Sequence, residues 1–436
     1  MRSVKPRAKL DADERTKGSV GSMVAEQIDG TDEGGAGTGG AHTSSAIDVV
    51  ILNGARTPQG RLLGQLAAFS AVELGAFAAT AAIERAGVSP EQIDQVIIGQ
   101  VLQAGAGQNP ALQTARAAGV PWDVPSVTIN KVCLSGIQAV IDGARLIRSG
   151  EAGVVLVGGQ ESMTNAPHLL PGARSGYKYG SREVLDHAAF DGLTDAYDHT
   201  SMGLSTEQHN GPLGIDRAVQ DETALASHLR AAAAQAEGAF DAEIVPIEVT
   251  GRRGTTRIDR DEGVRADSTM ESLGALRPAF TADGTVTAGN SSPLSDGAAA
   301  IVLASRAFAE ANGLSWLAEV RSAGQVAGPD NSLHAQPSRA IAAALAREGW
   351  SASELDLIEI NEAFAAVTVH STRELGVGSD VVNIHGGAIA IGHPIGASGA
   401  RLVLHAAAEL ARRGSGRAAV ALCGGGGQGD AVLLVR

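Results

Sequence analysis

The chain contains two cysteines, and each stands in a glycine-framed segment: Cys133 in NKVCLSGIQAV and Cys423 in ALCGGGGQGD. A third such segment, GGAIAIGHPIGASGAR, carries His393. Two thiols make no disulfide framework, so each is either a small core residue or a placed reagent. Glycine neighbours favour the reagent, because bare backbone lets N–H groups approach a ligand closely. Cys133 follows the strand-like run VTINKV and precedes a helical pattern. At a helix N-terminus, free N–H groups and the helix dipole favour thiolate over thiol, so a ready nucleophile is expected there. His393, fixed between Gly392 and Pro394, can take a thiol proton. Cys423 opens a glycine run whose N–H groups can cradle an oxyanion, which suits proton transfer next to a carbonyl. Asn361, in EINEAFA, is placed at a strand end where it could orient water or a carbonyl oxygen. The blander readings are a packed cysteine and a satisfied turn histidine. No Cys-x-x-Cys or short His spacing points to zinc, and no P-loop or Rossmann fingerprint is present.

The elements that would hold these groups come in duplicate. AIERAGVSPEQIDQVIIGQ, from Ala82, aligns without gaps on ALAREGWSASELDLIEINE, from Ala344. SGIQAVIDGARLIRSGEAGVVLVGG, from Ser135, resembles SGARLVLHAAAELARRGSGRAAVALCGG, from Ser398. The chain thus reads as two copies of one unit, with residues 165–285 lacking a counterpart. In the first copy the patterns predict strands at 49–52, 96–98 and 154–157 and helices at 72–86 and 135–148, the helices closed by Gly87 and Gly150. Such alternation implies sheets with helices on their faces. The unmatched stretch holds one convincing helix, 219–237. In the repeat Cys133 falls opposite Gly396, three residues from His393, so a pseudo-twofold relation would bring the two turns face to face.

Composition bounds the function. With 44% hydrophobic and 19% charged residues the chain is an ordinary globular one with a large core. A net charge of −14 and 3% aromatic residues argue against nucleic acid as a partner. No apolar run is long enough to span a bilayer, so no membrane role is expected. Residues 1–45, with scattered charges and GTDEGGAGTGG, read as a flexible tail outside the fold.

These segments together resemble the thiolase family. GARTP, NKVCLSG, GGQESM, LRPAF, TAGNSSPLSDGAA, NEAFA, GGAIAIGHPIGASGAR and CGGGGQG occur in the family's order from about Val49 to the C-terminus. The resemblance implies an α/β fold of two pseudo-twofold-related βαβαβαββ halves in five α-β-α-β-α layers. The first half would occupy 46–163, completed by about 285–313, the inserted loop domain 164–284 and the second half 314–436. It implies acetyl-CoA C-acetyltransferase activity, through an acylated Cys133 activated by His393, with Cys423 as acid and base. Asn361 would serve a first oxyanion hole, and the N–H groups of Cys133 and Gly425 a second. Coenzyme A or acyl-CoA would be a substrate rather than a resident cofactor, with Arg265, Ser272 and Ser292 contacting it and Phe280, Ala288, Phe364 and Met202 along the pocket. A cytoplasmic homotetramer, built as a dimer of dimers, is also implied. Ser201-Met202-Gly203, Leu333 and Gln428 depart from the usual short-chain pattern and leave a 3-ketoacyl-CoA thiolase of broader chain length as the alternative. A ketoacyl-synthase-like condensing enzyme would not need Cys423, and a cysteine hydrolase would need no CoA acceptor.

Overall fold

The computed structural model describes residues 47–251 and 254–436. The stretch read above as a tail lies outside them. The first half comprises β1 (Val49–Arg56), α1 (Ala71–Ala86), β2 (Gln95–Gly99), α2 (Pro110–Ala117), β3 (Ser126–Ile129), α3 (Ser135–Ser149) and β4 (Val154–Ser162). A long excursion follows, with helices α4 (Met202–Asn210) and α5 (Arg217–Glu237), before β5 (Ser295–Ser305) completes the half. The second half comprises β6 (Ala318–Ala327), α6 (Gln336–Glu348), β7 (Leu357–Ile360), α7 (Ala365–Leu375), α8 (Ser398–Arg413), β8 (Arg417–Gly424) and β9 (Gln428–Val435). The predicted helices fall within a residue or two of the observed ones, whereas β1 and β4 run several residues beyond the apolar runs that announced them.

Both halves follow one path. The strand order β7-β8-β9-β6-β1-β5-β4-β2-β3 is symmetric about the β6/β1 junction. Where the first half has β3, the second has only a parallel bridge from Val382 to Ile358. The half-sheets are not separate. Val49, Val50 and Ile51 pair with Val320, Glu319 and Ala318 and join them in one ten-stranded sheet, counting the short Gly60–Arg61 strand on β5. Apolar faces then dictate the layers. α1 and α2 pack on the outer face of the first half-sheet through Leu74, Ala78, Ala111 and Ala115. α6 covers the second through Ile341 and Ala344. Between the half-sheets α3 and α8 share a core in which Ile137, Val140, Leu402 and Val403 meet Val155, Ile301, Leu357 and Val420. The result is the five-layered α-β-α-β-α arrangement.

The repeated residues do the same work twice. Gly87 and Gly349 end α1 and α6 in the left-handed region, at φ 69° and 68°, where glycine carries no Cβ penalty. Ser89 and Ser351 each cap the following 3-10 turn. Asp94 Oδ2 accepts from Gly153 N and Val154 N at 2.7 and 2.9 Å, and Asp356 Oδ2 accepts from Arg417 N at 2.8 Å, so each aspartate fixes the start of a later strand. The excursion is tied down by charge. Fully buried Arg56, at the end of β1, donates to Glu243 at 2.7 Å and, through two nitrogens, to Asp261 at 2.7 and 2.9 Å. Pairing offsets the cost of desolvating so buried a guanidinium. No helix among the described residues is long and apolar enough to cross a membrane.

Candidate active site

The two mirrored turns meet because glycine lets their helices touch. A Cβ on Gly136 of α3 would lie 2.7 Å from Ala400 N, and one on Gly399 of α8 only 2.2 Å from Ile137 N. Gly136 and Gly399 are equivalent in the repeat, so the first turns of α3 and α8 cross backbone to backbone. Cys133, two residues before α3, and His393, five before α8, are thereby delivered to one cavity of about 320 Å³. Cys423 reaches the same cavity from β8. The glycine run after it is a hairpin turn, and the apolar stretch beyond pairs back as β9. Cys423 is the penultimate residue of β8, and AVLLV forms one further strand beyond it.

Around the thiols the backbone supplies donors. The Cys133 sulfur faces the N–H groups of Cys133 itself and Gly425, which pull its pKa down. Burial outweighs them, and with the Glu161 carboxyl adding to the upward push the thiol stands at about 12. Cys423 is also pushed up, by burial first and then by Cys133. Burial, with Arg401 adding to it, depresses His393 to about 3. All three shifts act toward the uncharged forms of the two thiols and the imidazole. The backbone donors expected to favour a thiolate are present, and desolvation of the charge acts against them.

Hydrogen bonds fix the imidazole's tautomer. Ser398 Oγ gives its only proton to Pro394 O at 3.0 Å, so at 2.6 Å it receives one from His393 Nδ1. The lone pair is left on Nε2, which Asn361 Nδ2 approaches at 3.4 Å. Asn361, directly after β7, is fully buried, and its Oδ1 has no protein partner. The His393 backbone N–H is held by Ser295 Oγ at 3.1 Å. Glu161, buried on β4, ties the turns of both halves together: it accepts from Val101 N and Leu102 N of the first and from Gly396 N of the second, at 3.0 to 3.1 Å.

Of the side chains expected to meet coenzyme A, Met202, Phe280, Ser292 and Phe364 line the cavity, the two rings edge to face with centroids 6.5 Å apart. Arg265, Ser272 and Ala288 are exposed and lie outside its lining. Leu333 contributes to the wall, as do Met163, Leu193 and Ile395, which sequence reasoning did not single out. Ser398 and Glu161 were also missed. Ser398 carried a usable signal, since it is the counterpart of Ser135, whose hydroxyl likewise braces the turn before its helix by donating to Val132 O at 2.7 Å.

Comparison with known proteins decides the family. Residues 49–307 match the thiolase N-terminal domain and residues 314–436 the thiolase C-terminal domain. The chain belongs to the thiolase family. A probable acetyl-CoA acetyltransferase of Mycolicibacterium smegmatis is 56% identical over 89% of this chain and all of its own length. One of Mycobacterium tuberculosis is 55% identical over 88% of this chain and 98% of its own. The acetyl-CoA acetyltransferase of Cupriavidus necator is 47% identical over 89% and 99%. Cys133, His393, Cys423 and Gly425 line the cavity of this thiolase, and Asn361 stands against His393 outside that lining.

Proposed function

We propose that the protein is an acetyl-CoA C-acetyltransferase, joining two acyl-CoA molecules into a 3-oxoacyl-CoA and free CoA and running the reverse thiolysis through an acyl-cysteine at Cys133. The carrying observation is the Cys133 sulfur facing two N–H groups in a cavity that also holds His393 and Cys423. The names of the relatives above support the same reading.

The groups imply an order of proton moves. Cys133 attacks the thioester carbonyl as its proton passes to His393 Nε2, and the oxyanion forms against the N–H groups of Cys133 and Gly425. The C–S bond to CoA breaks, the CoA sulfur takes the proton of Cys423, and CoA leaves neutral. Cys423, now a thiolate, removes a proton from the methyl of a second acetyl-CoA. The enolate oxygen is held by Asn361 Nδ2 and protonated His393, the neighbours at 3.4 Å. Its carbon attacks the acyl group, and the departing Cys133 sulfur recovers its proton from His393. The site ends as it began. Coenzyme A acts as substrate, and Ser292 with the Phe280 and Phe364 rings forms the entry wall.

Cytoplasmic location and a tetramer complete the reading. The open edge of β3, with Val127 40% and nearby Trp122 82% exposed, favours association over a monomer. The deciding assay supplies acetyl-CoA alone: acetoacetyl-CoA is expected, and strict dependence on a malonyl donor would replace this reading with a decarboxylating synthase. Thiolysis across 3-oxoacyl chain lengths then separates acetoacetyl preference from a broader enzyme.

A further inference from the structure

The turn that presents Cys133 adopts a conformation its residues resist. Val132, β-branched, sits at φ +51°, where its Cβ crowds the backbone. Local bonds brace it: Asn130 Oδ1 accepts from Val132 N at 2.9 Å, and Ser135 Oγ accepts from Lys131 N at 2.8 Å. A remote bond reaches the other half of the chain. Lys131 Nζ lies 2.8 and 2.7 Å from the two carboxylate oxygens of Asp430. The Asp430 carboxylate is wholly buried, while the Lys131 side chain keeps 23% exposure. Gln325 Nε2 donates to Asp430 Oδ1 at 3.2 Å and to Gln138 Oε1 at 2.6 Å, and that Gln138 oxygen also receives Lys131 Nζ at 3.0 Å. Asp430 pairs across the β8–β9 hairpin with Leu422, the residue before Cys423. The ion pair therefore runs from the turn carrying one N–H donor to the hairpin carrying the other.

We propose that Lys131 and Asp430 are positioning residues for the acyl-transfer step, setting the distance between the Cys133 and Gly425 turns so that their N–H groups converge on one oxygen. Neither side chain touches the reacting atoms. The proposal rests on the reading of Cys133 as nucleophile and of those two N–H groups as its oxyanion hole. Because Asp430 is buried, removing Lys131 leaves an unpaired charge whose relief moves the hairpin. Displacing one oxyanion donor costs about 10²- to 10³-fold in rate, so a partial displacement should cost on the order of ten- to a hundredfold.

The test compares the parental enzyme with Lys131→Met, Lys131→Arg and Asp430→Asn in acetoacetyl-CoA thiolysis and in single-turnover acylation of Cys133 followed by mass. Expected are a loss of about ten- to a hundredfold in kcat for Lys131→Met and Asp430→Asn, an equal loss in the acylation rate, and KM within about threefold. Lys131→Arg, which keeps the charge, should recover most of the rate. Folded Lys131→Met or Asp430→Asn with parental kcat and acylation overturns the proposal, as does a loss explained wholly by the unfolded fraction in a melting curve. If Lys131→Met does not fold, the contrast between Lys131→Arg and Asp430→Asn decides in the same way, and equal rates refute the pair. Should the parental enzyme fail to acylate Cys133, the acyl-transfer reading itself is wrong, which separates the two failures.

Discussion

The two halves differ most where they are otherwise most alike. Their caps, strand order and central helices are equivalent, yet the turn before α3 ends in Cys133 and the turn before α8 has Gly396 in that place. The neighbourhood explains the asymmetry. A Cβ on Gly396 would come within 2.8 Å of Glu161 Oε2 and 2.9 Å of Gln100 Cα, so this side has no room for a second sulfur. His393 in turn corresponds to Asn130, whose amide oxygen only braces Val132. Duplication supplied the scaffold and the helix crossing. The reactive side chains are divided, with Cys133 on one half and His393 and Cys423 on the other.

That division can be broken by experiment, and the largest effect belongs to the first half. Cys133→Ala should abolish CoA release in both directions, a loss on the order of 10⁴-fold or more, with no acyl-enzyme detectable by mass. Residual thiolysis near the parental rate would move the nucleophile elsewhere. Cys423→Ser should leave Cys133 acylation measurable but lower carbon–carbon bond formation by roughly 10²- to 10⁴-fold, the usual weight of a general base. Condensation at the parental rate would remove Cys423 from its role.

The protonation state gives a sharper probe. With Cys133 pushed up to about 12 and His393 down to about 3, alkylation of Cys133 by iodoacetamide in the free enzyme should rise about tenfold per unit across pH 7 to 9. A plateau beginning near pH 6 would instead reveal a thiolate–imidazolium pair.

Two smaller effects address the scaffold. Gly399→Ala puts a Cβ 2.2 Å from backbone, so about 1–3 kcal/mol of stability should be lost together with activity, read from denaturant melts and kcat. A stable, fully active variant would show that the helix crossing is not needed. Gly87→Ala and Gly349→Ala should each cost about 1 kcal/mol by the same left-handed strain, and similar values would confirm that the two caps are equivalent.

Much of the fold could be read from the chain because its signals are local. Glycine stops, serine caps and the period of apolar residues each act within a few positions, which is why α1, α3 and α5 were anticipated nearly to the residue. The β1–β6 pairing that merges the half-sheets was not, since three residue pairs between edge strands leave no pattern in either. The site divides similarly. Cys133, His393 and Cys423 stood out through their glycine frames, whereas Met163, Leu193 and Ile395 look like any core residue until the chain is folded around the cavity.

By itself, the sequence determined the duplicated unit, the turns that carry sulfur and imidazole, and the family. Tertiary structure alone decided that burial pushes the Cys133 thiol up, that Ser398 leaves the lone pair of His393 on Nε2, and that Lys131 finds Asp430. Desolvation is a sum over atoms from every layer of the protein, and a buried charge is answered by whichever partner the fold brings near, so neither is written in the neighbours along the chain.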